Sequence, residues 1–120
     1  MARILLVEDE ADVRLVMEHV LIDAGYEVDA AATMSNGCEL LRFGAYDLVV
    51  ADGRLPDGTG MDVADLARER GVKALIVTGY AFMLPAVVRD RYNILPKPLH
   101  QAELIDAVQG ALGHRELDTP

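Results

Sequence analysis

Four apolar runs in this chain end on side chains capable of ionic chemistry. Ile4-Leu5-Leu6-Val7 runs into Glu8 and Asp9, and Leu48-Val49-Val50-Ala51 into Asp52. Ala74-Leu75-Ile76-Val77 leads to Thr78, and Asn93-Ile94-Leu95-Pro96 to Lys97. Three carboxylates in one low-dielectric cleft repel one another, so the cluster holds protons at raised pKa or holds a divalent cation. Hard oxygen ligands with positions left to water suit Mg²⁺. A carboxylate beside that ion can attack a phosphoryl group and form an acyl phosphate. The transferring phosphoryl spreads charge over its oxygens and needs cationic and hydrogen-bonding partners. Lys97 offers the charge and Thr78 the hydroxyl. Singly, each residue has a plainer use, since acids after a strand cap the next helix, as Asp9 or Glu10 could. All of them in order, at successive run ends, favour a site.

The elements must bring those ends together. Short runs rich in Val, Ile and Leu read as buried strands of a parallel sheet. Between them come helical patterns: Val13, Val16, Met17, Val20, Leu21 and Ala24 recur at helical spacing, and Gly25 stops that helix. Tyr26 to Ala31 reads as a second strand. Thr33 or Ser35 caps a helix through about Phe43, with Leu40, Leu41 and Phe43 inward and Gly44 closing it. Pro56, Gly58 and Gly60 mark a loop, after which Met61 to Arg70 is helical with Val63, Leu66 and Ala67 buried. Pro85 suits the first turn of a short helix to about Arg91. Gln101 to Leu112 forms the last helix, its apolar face Leu104, Ile105, Val108 and Leu112.

Strands and helices in strict alternation predict an α/β domain over residues 1–113, a (βα)5 three-layer sandwich, with a polar tail at 114–120. Right-handed crossovers leave two topologies, a flavodoxin-like sheet of order 2-1-3-4-5 or a truncated Rossmann half. In the former, strands one and three are adjacent, and Glu8, Asp9 and Asp52 converge at the switch point.

Composition narrows the function. At 120 residues, with 20 acidic against 11 basic side chains and a net charge of −9, the chain lacks the basic surface wanted for direct nucleic-acid or anionic-membrane binding. Cys38 is the single cysteine, so no internal disulfide forms, and an inert buried thiol is expected. A strand that begins at once leaves no room for a signal peptide, and no apolar run is long enough to span a membrane. A cytoplasmic protein is expected. His19, His100 and His114 show no ligand spacing and read as surface residues.

The motifs together resemble the response-regulator receiver domain, the CheY-like phosphoacceptor module of two-component signalling, along nearly the whole chain. They are Glu8-Asp9, Asp52 followed by Pro56 and Gly60, Val77-Thr78-Gly79, and Lys97-Pro98. The resemblance implies the flavodoxin-like topology and a phosphoryl group taken onto Asp52 from a phosphohistidine. The donor would be a sensor histidine kinase or a histidine phosphotransfer protein. It implies Mg²⁺ held by Asp9, Glu8, Asp52 and the Arg54 carbonyl, phosphoryl contacts from Thr78 and Lys97, and a cis Lys97-Pro98 bond. Met1 and the short tail are expected to mark a stand-alone signalling module rather than an enzyme, with no DNA-binding output.

The chain departs from that pattern in two ways. The interval from Thr78 to Lys97 is about three residues short, roughly one helical turn, so the fourth helix is expected to be truncated or displaced. Ile94 stands where the family carries an aromatic switch residue, and Tyr92 or Tyr80 could substitute. Arg54 and Tyr80 flank the expected phosphoryl site and could obstruct water, which predicts a long-lived acyl phosphate. Leu15 and Ile22 sit off the buried stripe of the first helix and are candidates for kinase docking. A haloacid-dehalogenase-like phosphatase is the alternative, because Asp57-Gly58-Thr59 is superficially similar to that family's signature. Its nucleophile would fall at Leu55, which cannot serve.

Overall fold

A computed structural model describes residues 1–113 of the chain. In chain order the elements are β1 (Arg3–Val7), α1 (Ala11–Asp23), β2 (Glu27–Ala31), α2 (Met34–Phe43) and β3 (Leu48–Asp52). A small antiparallel pair follows, β4 (Arg54–Leu55) and β5 (Gly58–Thr59), then α3 (Gly60–Glu69) and β6 (Lys73–Thr78). A single 3₁₀ turn at Ala81–Met83, α4 (Ala86–Arg91), β7 (Ile94–Pro96) and α5 (Gln101–Leu112) complete it. The main sheet is parallel with order β2-β1-β3-β6-β7, which is 2-1-3-4-5 when its own five strands are counted. The flavodoxin-like alternative is the one adopted. The tail at 114–120, with His114, lies outside the described residues.

Strand alternation sorts the core into two layers. Ile4, Leu6, Leu48, Val50, Leu75 and Val77 face α1 and α5, where Val20, Leu21, Leu104 and Val108 meet them. Leu5, Val7, Val49 and Ala51 face α2 and α3 and pack on Leu41, Val63 and Ala67. Strands buried on both faces can afford no polar residue until they end, which is why the ionic side chains sit past the runs.

Three details of the helix reading are corrected. Phe43 is 85% exposed: the buried stripe of α2 runs through Gly37 and Leu41, and Phe43 stands about 200° around the helix from Leu41. Val16 is 58% exposed because it faces an open groove rather than the sheet, and Ala24 is an exposed C-cap. Of the two cap candidates for α2 it is Thr33 that serves, its hydroxyl accepting the Asn36 N–H at 3.0 Å. Cys38 is half-buried on α2, and burial pushes its thiol pKa up, keeping it protonated. The fourth helix is short as expected, six residues from Ala86 to Arg91. No helix of the described residues is long and apolar enough to cross a membrane.

At the far edge from the strand ends, Asp29 accepts two hydrogen bonds at 2.7 Å, from the Arg3 guanidinium and the buried Tyr46 hydroxyl. Burial, the hydrogen bond to Asp29 and its charge push Tyr46 up to about 12 from its ordinary 10.0. A raised pKa means that the folded protein holds the phenolic proton more tightly than the unfolded chain. The stabilisation is therefore fully present below about pH 10 and is lost as pH climbs toward 12. The expected loss is roughly 2–3 kcal/mol over that interval. Denaturant unfolding of wild type and Tyr46→Phe across the same pH range should show a shallower slope in the variant, the part that remains coming from Tyr26, Tyr92 and Lys97, whose pKa values are also raised.

Candidate functional site

Register brings the strand ends level. Val7 pairs with Ala51, Asp52 with Val77 and Thr78 with Pro96, so the next residues in each strand collect at one edge. Glu8 is only 1% exposed, one residue past β1, with its amide still bonded to the Ala31 carbonyl at 3.0 Å. Asp9 is exposed beside it, and Asp52 closes β3 half-buried. One carboxylate oxygen from each of the three lies within 4.8 Å of the others.

Lys97 reaches into this cluster. Its Nζ donates to Glu8 Oε1 at 3.0 Å and to Asp52 Oδ2 at 3.4 Å. Burial pulls the Lys97 pKa down, but the hydrogen bond to Glu8 and the charges of Glu8 and Asp52 outweigh it, so the amine is held charged. For Glu8, burial raises the pKa, and Lys97 and the Glu10 N–H offset only part of that rise. The Lys97-Pro98 bond is cis, as the resemblance implied. Thr78 is 3% exposed, and its Oγ1 accepts the Tyr80 N–H at 3.1 Å, which leaves its own proton for an acceptor in the pocket.

The acids fit a hard cation. Octahedral Mg²⁺ with bonds of about 2.1 Å spaces its ligands about 3 to 4.2 Å apart, close to the separation seen. The donor set is all oxygen, and the exposed Asp9 leaves the cleft open to water on one side.

Some contributors carried no sequence signal, or only a place in the motif after Asp52. Arg14, one turn into α1, donates to the Glu8 carbonyl at 2.8 Å and to the Asp9 carbonyl at 3.4 Å, fixing the acidic turn from below. Gly53 lies against Thr78: a Cβ there would stand 2.7 Å from Thr78 Cβ and 2.8 Å from its Oγ1. A Cβ on Gly60 would collide with the Asp52 carbonyl oxygen. Gly53 directly after the acid and Gly60 in the motif hinted at these close approaches without showing what they touch.

The remaining candidates separate. Arg54 lies over the Tyr80 ring, its guanidinium carbon 3.8 Å from the centroid, so the two form one stack joining the loops beyond Asp52 and Thr78. Ile94 is half-buried in β7 opposite Ile76. Tyr92 is not on that strand: it caps α4, and its hydroxyl donates to Asp65 at 2.8 Å. Leu15 and Ile22 are 54% and 48% exposed on α1. On a different face of α1, an apolar groove of about 560 Å³, lined by Val13, Val16, Met17, Pro98 and Leu99 but by neither Leu15 nor Ile22, opens next to Lys97. Asp57 takes no part in the pocket. Its carboxylate accepts the Met34 and Ser35 N–H groups at 2.7 and 2.9 Å, capping α2, and the phosphatase reading ends there.

A family model of the response regulator receiver domain matches residues 4–109. The chain belongs to that family. This receiver domain is 30% identical over 118 residues to the response regulator receiver protein CpdR of Brucella abortus, a match covering 93% of this chain and 98% of that one. It superposes on a CheY-like receiver domain protein from Methanospirillum hungatei with a TM-score of 0.87, 27% identity and 99% of each chain covered. Response regulator TrrA of Thermotoga maritima, solved in complex with Mg²⁺–BeF, matches with a TM-score of 0.83 and 28% identity over 92% of this chain and 99% of that one. The receiver domain spans between 24% and 51% of the length of other curated relatives, which include transcriptional regulatory proteins.

Within this receiver domain, Gly53→Ala is expected to push Thr78 out of line, because overpacking at such a contact costs about 1–3 kcal/mol. Denaturant melts should show that loss, and acyl-phosphate formation should slow, while Gly79→Ala, which meets no atom within 4 Å, should do neither.

Proposed function

We propose that this receiver domain takes a phosphoryl group onto Asp52 from a phosphohistidine of a sensor histidine kinase or a histidine phosphotransfer protein. The observation that carries the reading is the convergence of Glu8, Asp9 and Asp52 with Lys97 bonded to two of them. An Asp52 carboxylate oxygen attacks phosphorus, the P–N bond breaks, and the imidazole leaves with the electron pair. Glu8, Asp9, Asp52 and the Arg54 carbonyl would hold Mg²⁺, which supplies positive charge against the acids and the phosphoryl oxygens. Lys97 would pair with one phosphoryl oxygen, and the Thr78 hydroxyl would donate to another. The TrrA complex with Mg²⁺–BeF supports this, as a relative of the same fold that accepts both groups.

The domain acts as a cytoplasmic signalling acceptor whose only turnover is its own phosphorylation and dephosphorylation. The groove beside Lys97 suits the apolar face of a helical phosphodonor delivering its histidine to the pocket, and Leu15 and Ile22 offer a separate apolar contact on another face of α1. Turning the Thr78 hydroxyl toward a phosphoryl oxygen would loosen its bond to the Tyr80 N–H, so readout in this chain runs through Tyr80 and the 3₁₀ turn. Ile94 has no aromatic ring to swing, and Tyr92 is tethered to Asp65.

Intact mass measurement after incubation with acetyl phosphate and Mg²⁺ should show one added phosphoryl group in wild type and none in Asp52→Asn. An unmodified wild type under conditions that label another receiver domain would refute the reading. The Arg54–Tyr80 stack should shield the acyl phosphate from in-line water. Arg54→Ala and Tyr80→Ala are therefore each expected to shorten its half-life severalfold, followed as decay of the phosphorylated mass.

A further inference from the structure

A second cavity lies at the opposite end of the sheet from the acids, about 550 Å³ in volume and within the range of small-molecule sites. Three cations line it, Arg68, Lys73 and Arg91, and none of its lining residues is acidic. That is a notable grouping in a chain whose acids outnumber its bases 20 to 11. None of the three forms an ion pair among the described residues.

The cavity exists because the edge strand is short. Ile76 N–H bonds the Asn93 carbonyl and Lys97 N–H bonds the Thr78 carbonyl, each at 2.9 Å, so even-numbered residues of β6 direct their backbone toward β7. The same alternation turns the N–H and C=O of Ala74 that way. β7 begins only at Ile94, opposite Ile76, and Ala74 has no strand across from it. Ala74 lines the cavity, whose wall therefore carries, among the described residues, an unpaired backbone donor.

The cations are held at the rim. Arg68 donates to the Arg91 carbonyl at 3.1 Å and Lys73 to the Ala111 carbonyl at 2.9 Å, each capping a helix end and keeping its other donors. Helix-end capping accounts for those two positions. Arg91 closes α4, where a cation also suits the helix end, but among the described residues its guanidinium makes no hydrogen bond; it lies 5.7 Å from the Tyr92 ring centroid, with Arg68 at 5.8 Å from the same ring. Two guanidinium groups thus flank one ring at the cavity rim with donors free to meet an anion there. Asp65, the acid bonded to the Tyr92 hydroxyl, is not part of the lining.

We infer that this cavity binds a small phosphorylated molecule of about nucleotide size, its anionic oxygens held by Arg68, Lys73, Arg91 and the Ala74 N–H. The small side chains of Ala64 and Ala111, with Gly110, leave room for an uncharged body beside them. The inference does not rest on phosphorylation of Asp52, and Asp52→Asn should bind equally well.

The test is amide-shift titration of the whole ¹⁵N-labelled chain in Mg²⁺-free buffer with AMP, inorganic pyrophosphate and adenosine. AMP should give saturable shifts at Ala74, Tyr92 and Gly110, and adenosine, without anionic oxygens, should give none. Pyrophosphate binding at the same amides would support the site and assign recognition to the anionic group. Arg91→Gln removes no hydrogen bond of the fold and should weaken AMP by about tenfold, the worth of a charge-assisted contact, as should Lys73→Gln. Shifts confined to the Thr78 and Lys97 end, shifts that never saturate, or affinity unmoved by both substitutions would overturn the site. So would binding of an acidic peptide there in place of AMP.

Discussion

Lys97 stands between Glu8 and Asp52, and the arrangement of the whole strand-end edge turns on that contact. A carboxylate as deeply covered as Glu8 cannot stay ionised without a partner, because water no longer solvates it. The amine supplies one charge for two acids, so the pocket is already net negative, and Asp9 makes it more so. A divalent cation can complete this incomplete neutralisation, and with Lys97 it can then receive the negative charge of a phosphoryl group. The pocket thus combines a fixed internal cation with an unfilled demand for positive charge.

The fold makes the contact possible by bringing together residues far apart in the chain. Parallel strands β1, β3 and β6 run in register, so the first polar residue after each buried run arrives at the same height. Fine placement then depends on close backbone approach. Gly53 lets the turn after Asp52 lie against Thr78, and Gly60 lets the start of α3 press on the Asp52 carbonyl. Arg14 secures the acidic turn through its carbonyls, so Glu8 and Asp9 are oriented without drawing on their side chains.

The chemistry and its surroundings differ in how they are built. The pocket is assembled on the central strands and on buried side chains. The segment that follows Thr78 is a 3₁₀ turn and a six-residue helix carrying Phe82, Met83 and Val87 at 73% exposure or more. A shortened edge of this type has two consequences. It ties Tyr80 to Arg54 across the mouth of the pocket, and it leaves the lower half of β6 uncovered where the cations gather.

The sequence alone was enough to reveal the alternation of strands and helices, the sheet order through the resemblance, and each side chain of the ionic pocket. That legibility has a physical cause. A strand buried on both faces excludes polar groups, so the chain must change character abruptly where the strand ends, and the change marks the functional residue. Helix stripes were less legible at their margins, where a 100° step decides exposure and Phe43 and Val16 fell outside. Only tertiary structure could decide that Arg54 and Tyr80 stack, that Tyr92 binds Asp65, and that Gly53 touches Thr78. It alone could also place Arg68, Lys73 and Arg91 around one cavity. Those contacts join residues with no shared period or spacing, and their distances are set by how loops and helix ends pack after the sheet has formed.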